Sequence, residues 1–231
     1  FRINKFICNS YFTKRIIDSE FGVNSDVLYP PVAVEKFKPK RKEKSILYVG
    51  RFSQLKQSKN QHILIDAFKK LYKSGLSDWK LILADGIELG ADEYINKLKE
   101  GIKDYPIELI ESPDFKTILD LTGKAKIFWS AVGSGADEGK DPEKVEHFGI
   151  SVVEAMSTGS IPVVYNAGGY REIIEDGKNG FLWKNTHDLI KYTKIIIKTP
   201  KLVKSMASEA IIKSKNYSYE IFSSKLTSLI T

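Results

Sequence analysis

The chain has 231 residues, enough for one large domain with a core of its own. It is 42% apolar and 28% charged, the balance of a globular protein, and no run approaches the roughly 18 apolar residues of a membrane span. Thirty-six basic residues against 29 acidic ones give a net charge of +7, which favours anionic partners (phosphates, nucleic acid, an acidic membrane surface) without choosing among them.

The opening "FRINKFICNS" has neither a long apolar core nor a cleavage site, so it does not read as a signal peptide. With Phe1 in place of a methionine, the chain reads as a piece of a longer protein. The single cysteine, Cys8, excludes an internal disulfide and suits a reducing compartment.

In chain order, the apolar pattern predicts a strand at 5–9, a helix at 10–20 and a strand at 26–29. The segment 30–44, "PPVAVEKFKPKRKEK", has three prolines and a dense lysine run, and it reads as a linker with a solvated charged face. A contact of this run with acidic membrane lipids is the sharper alternative. Beyond it come strands at 45–49, 79–84, 107–110, 126–131, 161–165 and 180–183. Helices are predicted between and after them at 60–74, 92–103, 114–124, 149–158, 169–175 and 186–198, with the Lys-rich remainder of 184–231 completing two or three helices. Several strands are continuous apolar runs, the mark of strands covered on both faces. Strand–helix alternation at this spacing predicts an α/β, doubly wound, mostly parallel, Rossmann-like sheet.

Several familiar chemistries are absent. "GSGADEG" places Gly133, Gly135 and Gly139 one residue off the dinucleotide fingerprint, with acids where a pyrophosphate would approach. The "GK" at 139–140 lacks the P-loop glycine and is followed by Asp141 instead of Ser or Thr. There is no G-x-S-x-G, and His62, His147, His187 and one cysteine offer no zinc spacing.

What remains is "EHFGISVVEAMSTGSIPVV", in which Glu146 and Glu154 bracket an apolar segment. Gly149 marks a helix start, whose unpaired first-turn N–H groups bind phosphate. At ~1.5 Å rise per helical residue, more where extended, the two carboxylates lie roughly 10–15 Å apart, about the reach of a nucleotide sugar. Carboxylates accept from hydroxyls, and the helix end suits the phosphates. On its own, a pair of acids at this spacing is common on solvated helices. "ILYVGRF" adds Gly50 and Arg51 directly after a strand, where open α/β sheets bind ligands. "KN" at 59–60 adds Lys59 at another helix start, a second cation for a diphosphate.

These residues resemble the retaining glycosyltransferase family 4, with its two-domain GT-B fold. The matching pieces occur in family order: "ICNSYFTKRIIDSEFGVNSDVLYPPV", "YVGRF" with "KNQHILIDAFKKL", "LILADG" and "EHFGISVVEAMSTGSIPVVYNAGGYREIIEDGKNGFLW". The stretch "IFWSAVGSGADEGKDPEKVEHFG" resembles a bacterial and archaeal subgroup with an acidic insertion. The resemblance implies that Glu146 contacts the transferred sugar and that Glu154 holds the ribose. It implies that Phe148, Gly149 and Ile150 offer backbone amides to the sugar hydroxyls and diphosphate and that Arg51 and Lys59 stabilise the leaving diphosphate, with Gly50, beside Arg51 at the strand end, among the donor-binding residues. The Arg51-to-Lys59 spacing is longer than usual for the family, and Lys56 sits at the commoner offset; Lys59 is preferred because it directly precedes the helix. "LADG" replaces the usual Gly-Asp-Gly, which implies a tighter or differently used loop at 85–86.

The resemblance further implies one half of a GT-B enzyme: residues 1–29 as the end of an acceptor-binding domain, 30–44 as linker, 45–215 as the nucleotide-sugar domain, and 216–231 as a helix packing toward the other domain. The donor is expected to be a UDP- or GDP-sugar and the acceptor a glycan or lipid-linked sugar reached through that domain. No metal, no other cofactor and no nucleic acid are expected, and the location is cytoplasmic, peripheral on the inner face of a membrane. Two other readings stand beside it: a non-catalytic sugar-nucleotide-binding module, and a nucleic-acid-binding domain suggested by the net charge alone.

Overall fold

A computed structural model of the chain describes residues 5–52, 59–86, 88 and 90–230, apart from the Asp85 side chain. Six strands form one parallel sheet: β3 (Ser45–Val49), β4 (Lys80–Asp85), β5 (Ile107–Glu111), β6 (Ile127–Ser130), β7 (Ile161–Tyr165) and β8 (Phe181–Trp183). Their spatial order is β5-β4-β3-β6-β7-β8. The chain therefore winds outward one way from β3 and then the other way from β6, so that these two neighbours mark the topological switch point. Two further strands, β1 (Ile7–Cys8) and β2 (Asp26–Val27), pair in parallel as a separate sheet around α1 (Tyr11–Phe21).

The sheet is covered on both faces because its central strands are apolar at successive positions, while the edge strand β5, "IELIE", carries exposed glutamates. In β3, Ile46 and Tyr48 join a core with Leu64, Phe68 and Leu71 of α2 (Gln61–Lys73), Ile95 and Leu98 of α3 (Asp92–Ile102), and Leu189 and Ile196 of α7 (Thr186–Lys198). Leu47, between them, points to the other face and joins Val152, Val153 and Met156 of α5 (Ile150–Ser157). The same alternation splits Ile127 and Trp129 from Phe128 in β6, as the two-residue side-chain period requires. Burying a side chain of this size contributes roughly 1.5–3 kcal/mol, so each strand residue stabilises one of the two layers.

The helix starts are written locally. Ser10 caps α1 by accepting from Thr13 N, Asp114 caps α4 (Phe115–Lys124) through Thr117 N, and Asn185 caps α7 through Asp188 N. Pro200 opens α8 (Pro200–Ser214), where its missing N–H costs nothing. A 3₁₀ turn at Lys215–Tyr217 leads into α9 (Tyr219–Ile230).

The segment 30–44 lies fixed along the domain. Val32 and Phe37 are buried, Val32 bridges to Ser218, and Lys40 N and Glu43 N donate to the carbonyls of Gly123 and Lys124. Lys36, Lys38, Lys40, Arg41 and Lys44 are exposed, as a solvated charge run should be. Lys42 departs from the pattern: its Nζ turns inward to Gly123 O at 2.9 Å, Thr158 Oγ1 at 3.3 Å and Ser160 Oγ at 3.2 Å.

Candidate active-site cleft

The carboxyl ends of β3 and β6 open into a cleft of about 510 Å³. Its walls hold Gly50 and Arg51 from the turn after β3, Lys59 from the approach to α2, and Glu146, Phe148, Gly149, Ile150 and Glu154 from the loop before α5 and from α5 itself. All eight residues singled out in the sequence thus line one cavity. Lys56 lies outside the described residues.

Gly149 is the N-cap of α5 and has φ 112°, a conformation that side chains rarely adopt. A Cβ there would lie 2.7 Å from Cε1 of Tyr170. The glycine is therefore required on the protein side, by Tyr170 of α6 (Tyr170–Ile173), as well as by its backbone angle. The first-turn amides of α5 are left at the cleft, carrying the partial positive charge of a helix start.

Lys59 faces Glu146, with Nζ 3.6 Å from a carboxylate oxygen and side chains only 11% and 20% exposed. Arg51 is 64% exposed and lies 3.9 Å from Glu88. The cleft therefore pairs one sheltered cation with one solvent-facing cation.

Polar residues that no spacing rule singles out hold these groups in place. Asn60 adopts φ 53°, and its amide donates to Ala131 O and Ser134 O, both at 3.1 Å. Gln61, fully buried, donates to Arg51 O at 2.9 Å and Gly50 O at 3.4 Å while accepting from the Tyr94 hydroxyl. Residues 59–61 thereby connect the two loops that frame the cleft. Behind α5, the Tyr170 and Ser130 hydroxyls are 2.7 Å apart. Burial, reinforced by the negative Glu146, pushes the Tyr170 hydroxyl well above its ordinary range, so it stays protonated. The buried Trp183 indole N–H donates to Ser130 O, tying β8 to the end of β6.

The "GSGADEG" loop does other work. Glu138 accepts from Arg171 Nη1 at 2.7 Å and from Gly168 N at 3.1 Å, bracing the glycine pair that precedes α6. At the tip of β4, the carbonyl of Gly86 accepts from Phe52 N, linking "LADG" to the Arg51 turn. Among the described residues, no group of three or more His, Cys, Asp or Glu side chains is arranged to hold a metal ion. Nor is any helix among them long and apolar enough to cross a membrane.

With this geometry in view, likeness to known proteins becomes informative. HepE of Anabaena, solved with UDP and glucose, superposes with a TM-score of 0.82 at 21% identity, over 98% of this chain and 62% of that one. Sucrose-phosphate synthase of Thermosynechococcus elongatus gives 0.78 at 15% identity, over 99% of this chain and 58% of that one. These likenesses establish the fold, an α/β unit with a parallel sheet as in GT-B glycosyltransferases. In sequence, a GDP-Man:Man(3)GlcNAc(2)-PP-Dol alpha-1,2-mannosyltransferase of Neurospora crassa is 32% identical over 155 residues, which are 62% of this chain and 26% of that protein. The glycogen synthase of Thermodesulfovibrio yellowstonii is 26% identical over 219 residues, 92% of this chain and 39% of that protein. The chain therefore spans well under half the length of these two relatives. Residues 32–213 match the family described as glycosyl transferases group 1, and the chain belongs to that family.

Proposed function

We propose that the chain is the donor-binding half of a retaining family-4 glycosyltransferase, moving a sugar from a UDP- or GDP-sugar to a glycan or lipid-linked acceptor. The observation that carries this is the convergence on one cleft of Lys59, Arg51, Glu146, Glu154 and the start of α5. The diphosphate sits at the α5 amides, where the helix end and two cations offset its charge. Glu154, within α5, accepts from the ribose hydroxyls, and Glu146 accepts from hydroxyls of the sugar. As the bond between the sugar C1 and the phosphate oxygen breaks, its electron pair stays on the leaving diphosphate, while the acceptor's hydroxyl oxygen bonds to C1 and its proton passes to that diphosphate. Lys59 and Arg51 stabilise that growing charge, and the sheltered Lys59 does so with less solvent screening.

The acceptor enters from a preceding domain, of which residues 1–29 form the end and 30–44 the connection. The nucleotide-sugar unit is 45–215, and 216–231 packs back toward that domain. In support, β1, α1 and β2 form a unit with its own sheet, and Lys225 of α9 reaches over the Tyr29 ring at 5.8 Å. Such an enzyme works in the cytoplasm, with the basic 30–44 face near an acidic inner membrane surface. Thermal shift with UDP, GDP and their sugars tests the proposal, since a ligand that binds only the folded chain raises its melting temperature. No shift with any of them at millimolar concentration would refute it.

A further inference from the structure

We infer that Glu172 is a positioning residue that locks the first segment of the chain onto the loop carrying Glu146; the inference rests on the donor-site reading above. Glu172 lies on α6, behind the cleft, and is not among the residues that line it. Its carboxylate takes Phe12 N at 2.7 Å, Tyr11 N at 2.9 Å and the Tyr29 hydroxyl at 2.8 Å. Tyr11 and Phe12 open α1, so an acid some 160 residues away in sequence satisfies two amides that helix geometry leaves unpaired. Ser10, the N-cap residue just before the helix, satisfies the third, Thr13 N. The start of α1 thus holds a carboxylate from the main domain at the place where a helix attracts an anion.

The backbone around Glu172 continues the connection into the cleft. Its own N–H donates to Gly169 O, and Gly169 N donates to Glu146 O at 2.8 Å. On the other side, Phe12 stacks on His147 with ring centroids 6.2 Å apart, and Tyr29 lies 5.6 Å from Phe148. The Tyr217 hydroxyl donates to Glu172 O, which brings in the turn before α9. Residues 146–148 are therefore held from two directions, by α6 through backbone and by α1 and Tyr29 through rings, and Glu172 is the group shared by both. Loss of its carboxylate removes three bonds to the first segment at once. The site for the sugar, which depends on Glu146, loosens, while the ribose end on Glu154 does not.

The test is made on the 231-residue chain with Glu172→Gln, which keeps the shape but loses the charge and one acceptor oxygen. Two readouts are needed. Amide exchange by NMR is expected to quicken about tenfold or more at Tyr11, Phe12 and Gly169, with β7 unchanged. The affinity ratio of UDP-glucose to UDP, or of GDP-mannose to GDP, is expected to fall about tenfold, with the bare diphosphate's affinity unchanged. Global loosening would move both ligands together and leave the ratio alone, and that result would overturn the inference. Quickened exchange confined to Tyr11 and Phe12, with Gly169 and the ratio unmoved, would also overturn it, because Glu172 would then be a helix cap and no more. If the wild-type chain binds none of these ligands, the donor-site reading fails, and exchange at Gly169 alone decides whether Glu172 couples the two parts. Should Glu172→Gln fail to fold, Tyr29→Phe removes one of the three bonds; a twofold to fivefold fall in the ratio supports the inference and an unchanged ratio overturns it.

Discussion

Lys59 Nζ and a Glu146 carboxylate oxygen lie 3.6 Å apart in a sheltered cleft, although 87 residues separate them in sequence. An ion pair so little exposed is not a surface ornament, because removing either partner leaves a poorly solvated charge. It places the cation assigned to the leaving diphosphate beside the acid assigned to the sugar, where one ligand can span both.

Lys59→Ala should therefore weaken binding of the bare nucleoside diphosphate. A hydrogen bond to a charged group is worth roughly 1.5–3 kcal/mol, so a tenfold to hundredfold loss by isothermal titration is expected. Arg51→Ala should lose less and show a steeper salt dependence, since its side chain is 64% exposed. Equal losses for the two variants would contradict the assignment of a sheltered and an exposed cation.

Gly149→Ala should destabilise the fold as well as the site. The new Cβ would meet the Tyr170 ring at 2.7 Å, at a backbone φ of 112°. Overpacking and the unfavourable angle together cost about 2–4 kcal/mol. Denaturant unfolding measures this; a variant within about 0.5 kcal/mol of wild type would show that the loop before α5 is free to move away from Tyr170.

The parallel sheet was legible because its central strands are buried on both faces. "SILYV" matches β3 residue for residue, and continuous apolar runs can hardly be solvated strands. The strands expected at 5–9 and 26–29 shrink to two residues each, because a separate two-stranded sheet offers each of them a single neighbour. The helix expected at 169–175 is only Tyr170–Ile173. The eight cleft residues were legible because they sit at strand ends and helix starts, where position itself suggests a ligand. Gln61, Tyr170 and Glu172 were not, because their partners lie 10 to 161 residues away and no local spacing records them. Lys42 was hidden for the same reason: in sequence it is one lysine of a charged run, and only the docking of 30–44 turns it inward.

Lys42 predicts a pH dependence. Burial, with no carboxylate partner among the described residues, pulls its ammonium down to about 7, from an ordinary lysine value of 10.5. The folded chain then binds fewer protons than the unfolded chain between these two values, so this lysine makes stability rise with pH across that window. Its contribution is complete above about 10.5 and is lost as pH falls through about 7. Lys42→Met should remove that slope, a difference of about 1–3 kcal/mol between the ends of the window after allowing for partial solvation. Urea titrations of both proteins at several pH values check this; parallel stability curves would show that the ammonium keeps its charge in the fold.

Donor binding should proceed without a divalent metal. Two cations and the start of α5 converge on the place proposed for the diphosphate, and they offset its charge directly. Titration calorimetry in EDTA should match that in magnesium to within about twofold. Affinity abolished by EDTA and restored by magnesium would mean that the diphosphate's charge is met by a bound cation.

The two glutamates offer the most direct test, because they are assigned to opposite ends of one ligand. Glu154→Ala should weaken the bare nucleoside diphosphate and the nucleotide sugar alike, by roughly tenfold to hundredfold, the worth of a hydrogen bond to a charged group. Glu146→Ala should not weaken the bare diphosphate, because Lys59 is released from its ion pair and stays available to that ligand, and it should weaken the nucleotide sugar, since only that ligand carries the group Glu146 holds. The measurement is isothermal titration of both variants with UDP and UDP-glucose, and with GDP and GDP-mannose. A loss for Glu146→Ala that appears only when the sugar is present is the predicted result; equal losses with and without the sugar, or no loss in either variant, would contradict it.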